Sequence, residues 1–200
     1  MALPLRAETG VRRFPRGRRP ARLPALRRGS GESDLLTMTL RIIAPSDLDG
    51  LSRAAQAGPR RRLNLNLHGD YLDPCQRLFN AVEPDSYLRP HRHTDPAKPE
   101  CFVAVRGRFH LLLFDDAGAI VERIELSPAG PAVAVDVPAG AWHAIVALEP
   151  GSIFFETKPG PYVPLSDKDF APWAPPEGAP QAQEYLRTVM CDESDASSEC

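Results

Sequence analysis

The chain has 200 residues, 42% of them hydrophobic and 25% charged, with a formal net charge of -2. That is one domain's worth of sequence, long enough for a sizeable core. No run of eighteen apolar residues exists, which excludes a spanning helix, and Cys75, Cys101, Cys191 and Cys200 are scattered without C-x-x-C spacing, against a disulfide framework or zinc knot and in keeping with a reducing cytoplasm.

The charge is unevenly spread. Residues 1–37 carry nine arginines against Glu8, Glu32 and Asp34, a net of +6, leaving about -8 for the remainder. An acidic body argues against nucleic acid as a partner, because phosphate contacts need clusters of Lys and Arg. The basic head is interrupted by Pro4, Pro15, Pro20 and Pro24 and has no apolar segment of signal-peptide type. It is read as disordered or as an over-extended start, with the working protein beginning at Met38.

Ser46–Ala57 predicts a short helix, capped by Ser46 or Asp47 and stopped by Gly58-Pro59. Residues 62–68 alternate Leu63, Leu65, Leu67 against Arg62, Asn64, Asn66, His68, a half-buried strand. Asp73-Pro74 followed by residues 75–82 predicts a second short helix, with Asp73 as cap and Pro74 in its first position. From Tyr87 the pattern is all-β. Strands are expected at 87–93, 100–106, 108–115, 119–126, 132–137, 142–148 and 152–158, separated by compact Gly, Pro and Asp turns. Short strands so closely spaced indicate a sandwich or barrel, closed so that no long edge is exposed. Residues 159–180 are rich in Pro, Gly and aromatics and are expected to wrap it, followed by a helical turn at 181–186 and a frayed end.

Four residues carry the chemistry. His91 and His93 stand one apart on extended chain and so point the same way, with Pro90 holding Arg89 extended. Glu100 opens the next apolar run on one face with Phe102 and Ala104, where a bare carboxylate is costly unless paired or metal-bound. His143 follows the Pro138-Ala-Gly140 turn. Together they describe a pocket for Fe, Mn, Ni, Co or Zn; the other reading is a loop histidine pair plus a core histidine. At a metal site each imidazole is expected to donate its second N–H to an acceptor that the sequence does not name.

These residues resemble the cupin pattern, Gly-x5-His-x-His-x3or4-Glu-x6-Gly followed by Gly-x5-Pro-x-Gly-x2-His-x3-Asn. His91-x-His93, Glu100-x6-Gly107 and Pro138-x-Gly140-x2-His143 fit it. The chain departs in the longer loop between His93 and Glu100, in Asp85 at the opening Gly position and in Ala147 at the closing Asn position. The longer loop is similar to that of the WbuC-like family of cupin-fold metalloproteins. So are Asn64-x-Asn66-x-His68, Asp73-Pro-x-Gln-Arg77, the string Phe155-Glu-Thr-Lys-Pro-Gly-Pro-Tyr162, and residues 167–175. The resemblance spans residues 39–187. It implies an all-β single cupin barrel (double-stranded β-helix, or jelly-roll) with short N-terminal helices and a C-terminal Pro-rich arm. Residues 1–37 then form the basic head, 38–187 the domain and 188–200 a disordered tail. It makes His91, His93, Glu100 and His143 the ligands of one divalent metal ion per subunit, and links the protein by association to surface polysaccharide (O-antigen) assembly. Pairing across an edge strand into a homodimer is expected.

Substrate contacts are expected from Asn64, Asn66, His68, Arg77, Tyr87, Arg89, Glu156 and Lys158, with Tyr162 nearby. Arg77 and Arg89 offer forks for carboxylate or phosphate, or else form salt bridges. Glu156 and Lys158 reach the ligand or pair with each other; Tyr162 and Trp173 read more readily as packing anchors, and His110 as part of the barrel wall. Three readings stay open. One is a metal-dependent enzyme on a small polar, carbohydrate-related substrate, with the ion as Lewis acid or O2 activator. Another is a binder of a sugar or organic acid without turnover. The third is an ion that only staples the barrel.

Overall fold

The computed structural model describes residues 40–166 and 168–191. The basic head over 1–37, the start at Met38, Asp167 and residues 192–200 lie outside the described residues. The elements are α1 (Pro45–Ala57), β1 (Arg62–Asn66), β2 (Cys75–Val82), β3 (Glu100–Arg106), β4 (Phe109–Phe114), β5 (Ile120–Leu126), β6 (Ala134–Val137), β7 (Trp142–Ala147), β8 (Ser152–Pro159) and α2 (Ala182–Met190). They form a five-stranded sheet in the order β1-β2-β8-β3-β6 and a three-stranded sheet in the order β5-β4-β7, both antiparallel. The expected all-β architecture is therefore present as two facing sheets. Among the described residues the pairing does not run on into one closed barrel. No helix among them is long and apolar enough to cross a membrane.

Strand alternation builds three apolar layers. Phe102, Ala104 and Phe154 of the larger sheet meet Phe109, Leu111 and Ile145 of the smaller one. The Phe154 ring stands edge-on to both Phe102 and Phe109 at 5.4 Å, a favoured aromatic geometry. The outer face of the smaller sheet, with Leu112, Phe114, Trp142 and Ala144, is covered by Ala171 and Ala174 of the C-terminal arm and by Leu186 and Val189 of α2. Leu51 and Ala55 of α1 close the outside of the larger sheet over Ala81 and Ile153. The first turn of α1 starts at Pro45, one residue before the expected caps. Asp47 reaches back to accept the Ala44 amide at 2.7 Å, so it satisfies an orphan donor from inside the helix.

Three expectations are corrected. Residues 75–82 form β2, not a helix. Asp73 accepts the Cys75 amide at 2.9 Å in a local turn, and pairing to β1 on one side and β8 on the other outweighs the cap signal. The stretch 87–93 is extended but contributes only single bridges, His91 to His143 and His91 to Phe170, because Pro90 has no amide to extend a ladder. Residues 188–190, placed in the tail, continue α2, and Val189 is buried.

Candidate metal centre

Three pieces of chain deliver the donors. The 90–92 segment lies between β7 and the arm. His91 and His143 exchange both backbone hydrogen bonds at 3.0 and 2.9 Å, while the amides of Arg92 and Ala171 bond to Asp169 and Pro90 carbonyls at 2.9 Å. Arg92 then turns outward, its guanidinium 4.0 Å above the Trp142 ring, and alternation sends His91 and His93 inward. Glu100 is the first residue of β3, and His143 the second of β7. Between the strands β6 and β7 the chain reverses at Gly140, whose φ of +80° favours glycine. Asp169 ties the histidine loop to the arm by accepting Thr94 Oγ1 at 2.6 Å and Ser166 Oγ at 2.7 Å. Burial alone would raise this carboxyl, but these hydrogen bonds bring it down to about 2.

Ligand-type atoms of His91, His93 and Glu100 all lie within 4.8 Å of one another. His143 stands across Glu100 from His93, its ring 6.3 Å from the His93 ring and 4.6 Å from that of His91. Glu100 Oε1 is 3.0 Å from His93 Nε2, and Oε2 is 2.9 Å from His143 Nε2. The tautomers follow from the backbone. His91 Nδ1 lies 3.2 Å from the Arg89 carbonyl and His143 Nδ1 3.0 Å from that of Ala141. A carbonyl only accepts, so both rings carry a proton on Nδ1, which in the neutral ring leaves the lone pair at Nε2. These two carbonyls are the acceptors the sequence leaves unnamed.

A direct conflict results. His143 Nε2, His93 Nε2 and Glu100 Oε2 are buried and have no aligned hydrogen-bond partner, although carboxylate oxygen and imidazole nitrogen sit at hydrogen-bond distance. A neutral imidazole and a carboxylate at this distance in a buried site need a positive charge between them, a proton or a metal ion. Bonds of about 2.0–2.2 Å to one ion at roughly right angles put neighbouring donors about 3 Å apart, the spacing of the two Glu100 contacts. His91, His93 and Glu100 could hold a divalent cation together, with His143 beside Glu100.

The electrostatics agree. Burial, reinforced by His143, pulls His91 down to about 3, so the imidazole stays neutral and able to ligate. Burial would raise Glu100, but His143, His93 and Lys158 hold it well below the usual carboxylate range. Lys158 lies 2.7 Å from Glu100 and 2.8 Å from Glu156. Those two carboxylates override burial and raise the ammonium. Glu156 itself is raised, chiefly by burial, because one lysine serves two acids. It also accepts Asn80 Nδ2 at 2.9 Å.

A pH dependence follows for chelator-treated protein. The folded His91 value, about 3, lies below the ordinary imidazole value of about 6.5. Its contribution is complete above pH ~6.5 and is lost as pH falls toward 3, because the unfolded chain takes up the proton first. Melting temperatures of metal-free protein should fall steadily from pH 7 to pH 4; a flat profile would show that His91 is not held neutral by the fold.

The centre opens into a cavity of ≈ 600 Å³ bounded by His91, Glu100 and His143 on one side and by Phe102, Ile145 and Phe154 on another. Arg89, Glu156, Lys158 and Tyr162 also line it. Asn64, Asn66 and His68 line a neighbouring hollow that shares Glu156, Lys158 and Tyr162. Arg77 is not at either. Its neighbour Gln76 pairs with Lys158 across the sheet and takes the inward position, so Arg77 faces outward and pairs with Asp73 at 3.1 Å. Tyr87 is buried in the outer layer, donating to the Pro175 carbonyl at 2.8 Å. His110 stands on the same outer side of β4, 3.3 Å from Arg123. Trp173 packs edge-on to Trp142, whereas Tyr162 is 45% exposed at the cavity rim. Sequence reading overlooked Gln76 and Asn80. Alternation through β2 would have found them, had the segment not been read as a helix.

Fold and site together define a two-sheet β protein with a buried His–Glu cluster of metal-binding geometry. The family model DUF6016, a domain of unknown function, matches residues 43–126, which include His91, His93 and Glu100 and stop short of His143. No curated protein is significantly similar to the chain. Among solved structures, KdgF from Halomonas sp. is 21% identical with a TM-score of 0.40, over 56% of this chain and 86% of that one. A cupin superfamily protein from Desulfitobacterium hafniense is 16% identical with a TM-score of 0.39, over 55% and 85%. Oxalate oxidase in complex with the substrate analogue glycolate is 12% identical with a TM-score of 0.41, over 52% and 56%.

Proposed function

We propose that the chain is a cupin that holds one divalent metal ion through His91, His93, Glu100 and His143 and binds a small polar ligand beside it. The observation that carries this is the convergence of His91, His93 and Glu100 ligand atoms within 4.8 Å of one another, with His143 Nε2 2.9 Å from Glu100 Oε2 in the same buried site. When bound, such an ion supplies Lewis acidity toward a ligand oxygen, or O2 activation if it is redox-active. The protein's own residues do the rest. Phe102, Ile145 and Phe154 exclude water from one wall. Arg89, whose Nη2 donates to the Ala171 carbonyl at 2.8 Å and whose Nε is buried without a partner, has N–H groups left for a carboxylate or other anionic group. Glu156, with its raised carboxyl, is the group in the cavity best suited to hand over a proton. A carbohydrate-related substrate in surface polysaccharide metabolism is the finer reading, supported by the WbuC-like strings alone. The alternative, binding without turnover, is favoured by the way Glu156 and Lys158 are engaged with each other.

The test is elemental analysis and anomalous scattering on protein purified without chelator. One ion per chain, at bonding distance from all four side chains, is the expected result. A metal-free protein that also fails to take up Co(II), Fe(II), Mn(II), Ni(II) or Zn(II) in titration sinks the reading.

A further inference from the structure

The hollow beside the metal cavity has a chemistry of its own. Its volume is ≈ 250 Å³, and Asn64, Asn66, His68 and Asn80 line it, with Tyr71 and Tyr162 at the rim. His68 is 7% exposed, and its Nε2 is buried without a partner. Its Nδ1 lies 3.1 Å from both the amide nitrogen and the carbonyl oxygen of Arg77. That oxygen already receives the Leu67 amide at 2.8 Å, and the Arg77 N–H can only donate, so Nδ1 accepts. The proton of the neutral ring then sits on Nε2, a buried donor without a partner on a residue that lines the hollow.

Around it, donors and acceptors alternate. Asn64 Nδ2 donates to Asn66 Oδ1 at 2.6 Å, which leaves the Asn64 oxygen and the Asn66 amide nitrogen for a ligand. A hydroxyl both donates and accepts and so satisfies such a mixed lining; a carboxylate or an ammonium satisfies only half of it. An anion is further disfavoured by Glu156 in the lining, and the Lys158 charge is already taken by two carboxylates. Tyr71 and Tyr162, 60% and 45% exposed, stand 4.9 Å apart at the rim. The Tyr162 amide donates to the Tyr71 carbonyl at 2.7 Å. This close packing requires Gly160, where a Cβ would overlap the Asp73 carbonyl oxygen. The rings offer an apolar surface to the C–H face of a saturated ring.

We propose that the hollow around His68 is a subsite for an uncharged, hydroxyl-rich ring of pyranose type, recognised without the metal. It deepens the proposed function, and rests on it only for the ligand's other end. Lys158 and Tyr162 line both spaces, so one molecule can occupy the hollow and reach the centre.

The experiment is a titration of full-length, isotope-labelled protein, with and without chelator, followed by the NMR signals of the His68 ring and the Asn64 and Asn66 amides. The probes are the methyl α-pyranosides of D-glucose, D-galactose and D-mannose, with cyclohexanol and sodium acetate as controls. Saturable shifts with at least one glycoside, in both metal states, are expected, weakened about tenfold in Asn64→Ala and in His68→Phe, as for loss of one hydrogen bond. Asn64 is exposed, so its variant retains the fold if the histidine variant does not. No shift with any glycoside, equal shifts with cyclohexanol, or saturation by acetate instead would overturn the subsite. Shifts seen only in metal-loaded protein would overturn its independence from the ion. Metal content, measured on the same samples, reports separately on the metal reading.

Discussion

Alanine at His143 should leave a protein that no longer retains divalent metal through purification. The substitution removes the imidazole nitrogen 2.9 Å from Glu100 Oε2, on the second residue of β7 at a position only 3% exposed. No neighbouring donor replaces it. The loss of affinity should exceed the roughly 10–100-fold typical of losing an outer hydrogen-bond partner, since a ligand itself is removed. His110→Ala is the control, because His110 lies on the other face of β4 beside Arg123. Elemental analysis and Co(II) titration decide the matter. Wild-type stoichiometry and affinity in the His143 variant would place the ion, if any, elsewhere.

The second large effect concerns stability. Lys158→Met removes the one ammonium between Glu100 and Glu156, both buried. Breaking a buried ion pair from one side costs about 3–5 kcal/mol, because the stranded charge stays buried. At about 2–4 °C per kcal/mol for a domain of this size, metal-free variant protein should melt about 6–20 °C lower. Metal-loaded protein should lose less, since a dication beside Glu100 offsets part of the stranded charge. Adding Glu156→Gln should restore part of the loss by removing the surplus acid. Calorimetry on the single and double variants checks this; an unchanged melting temperature in Lys158→Met would show that the lysine is not the counter-charge.

Much of this site was legible because its signals are local. His91-x-His93, the Glu100 run and the Pro138-Ala-Gly140-x2-His143 spacing are short-range patterns, and alternation along extended chain fixes which side chains share a face. The β3 strand falls where its apolar alternation places it. Arg77 and Tyr87 show the limit. Both are polar residues close in sequence to site residues, but Arg77 turns outward once 75–82 is a strand, and Tyr87 is drawn under α2 against Tyr185. In β1 the usual sense of alternation is reversed. Leu65 packs under α1, while Asn64 and Asn66 line the hollow beside the site. Nothing in a five-residue pattern says which face of an edge strand looks toward the ligand.

Residue order alone sets the β-rich class, most strand positions, and the identity and pairing potential of the three imidazoles and one carboxylate. Those features depend on residue type and on periods of two. The pairing of the strands into two sheets, the carbonyls that receive the histidine Nδ1 protons, the sharing of Lys158 between Glu100 and Glu156, and the polar hollow beside the His–Glu cavity emerge with the folded chain. Each of these depends on contacts between residues far apart in the chain, where burial, and not local propensity, sets the energy.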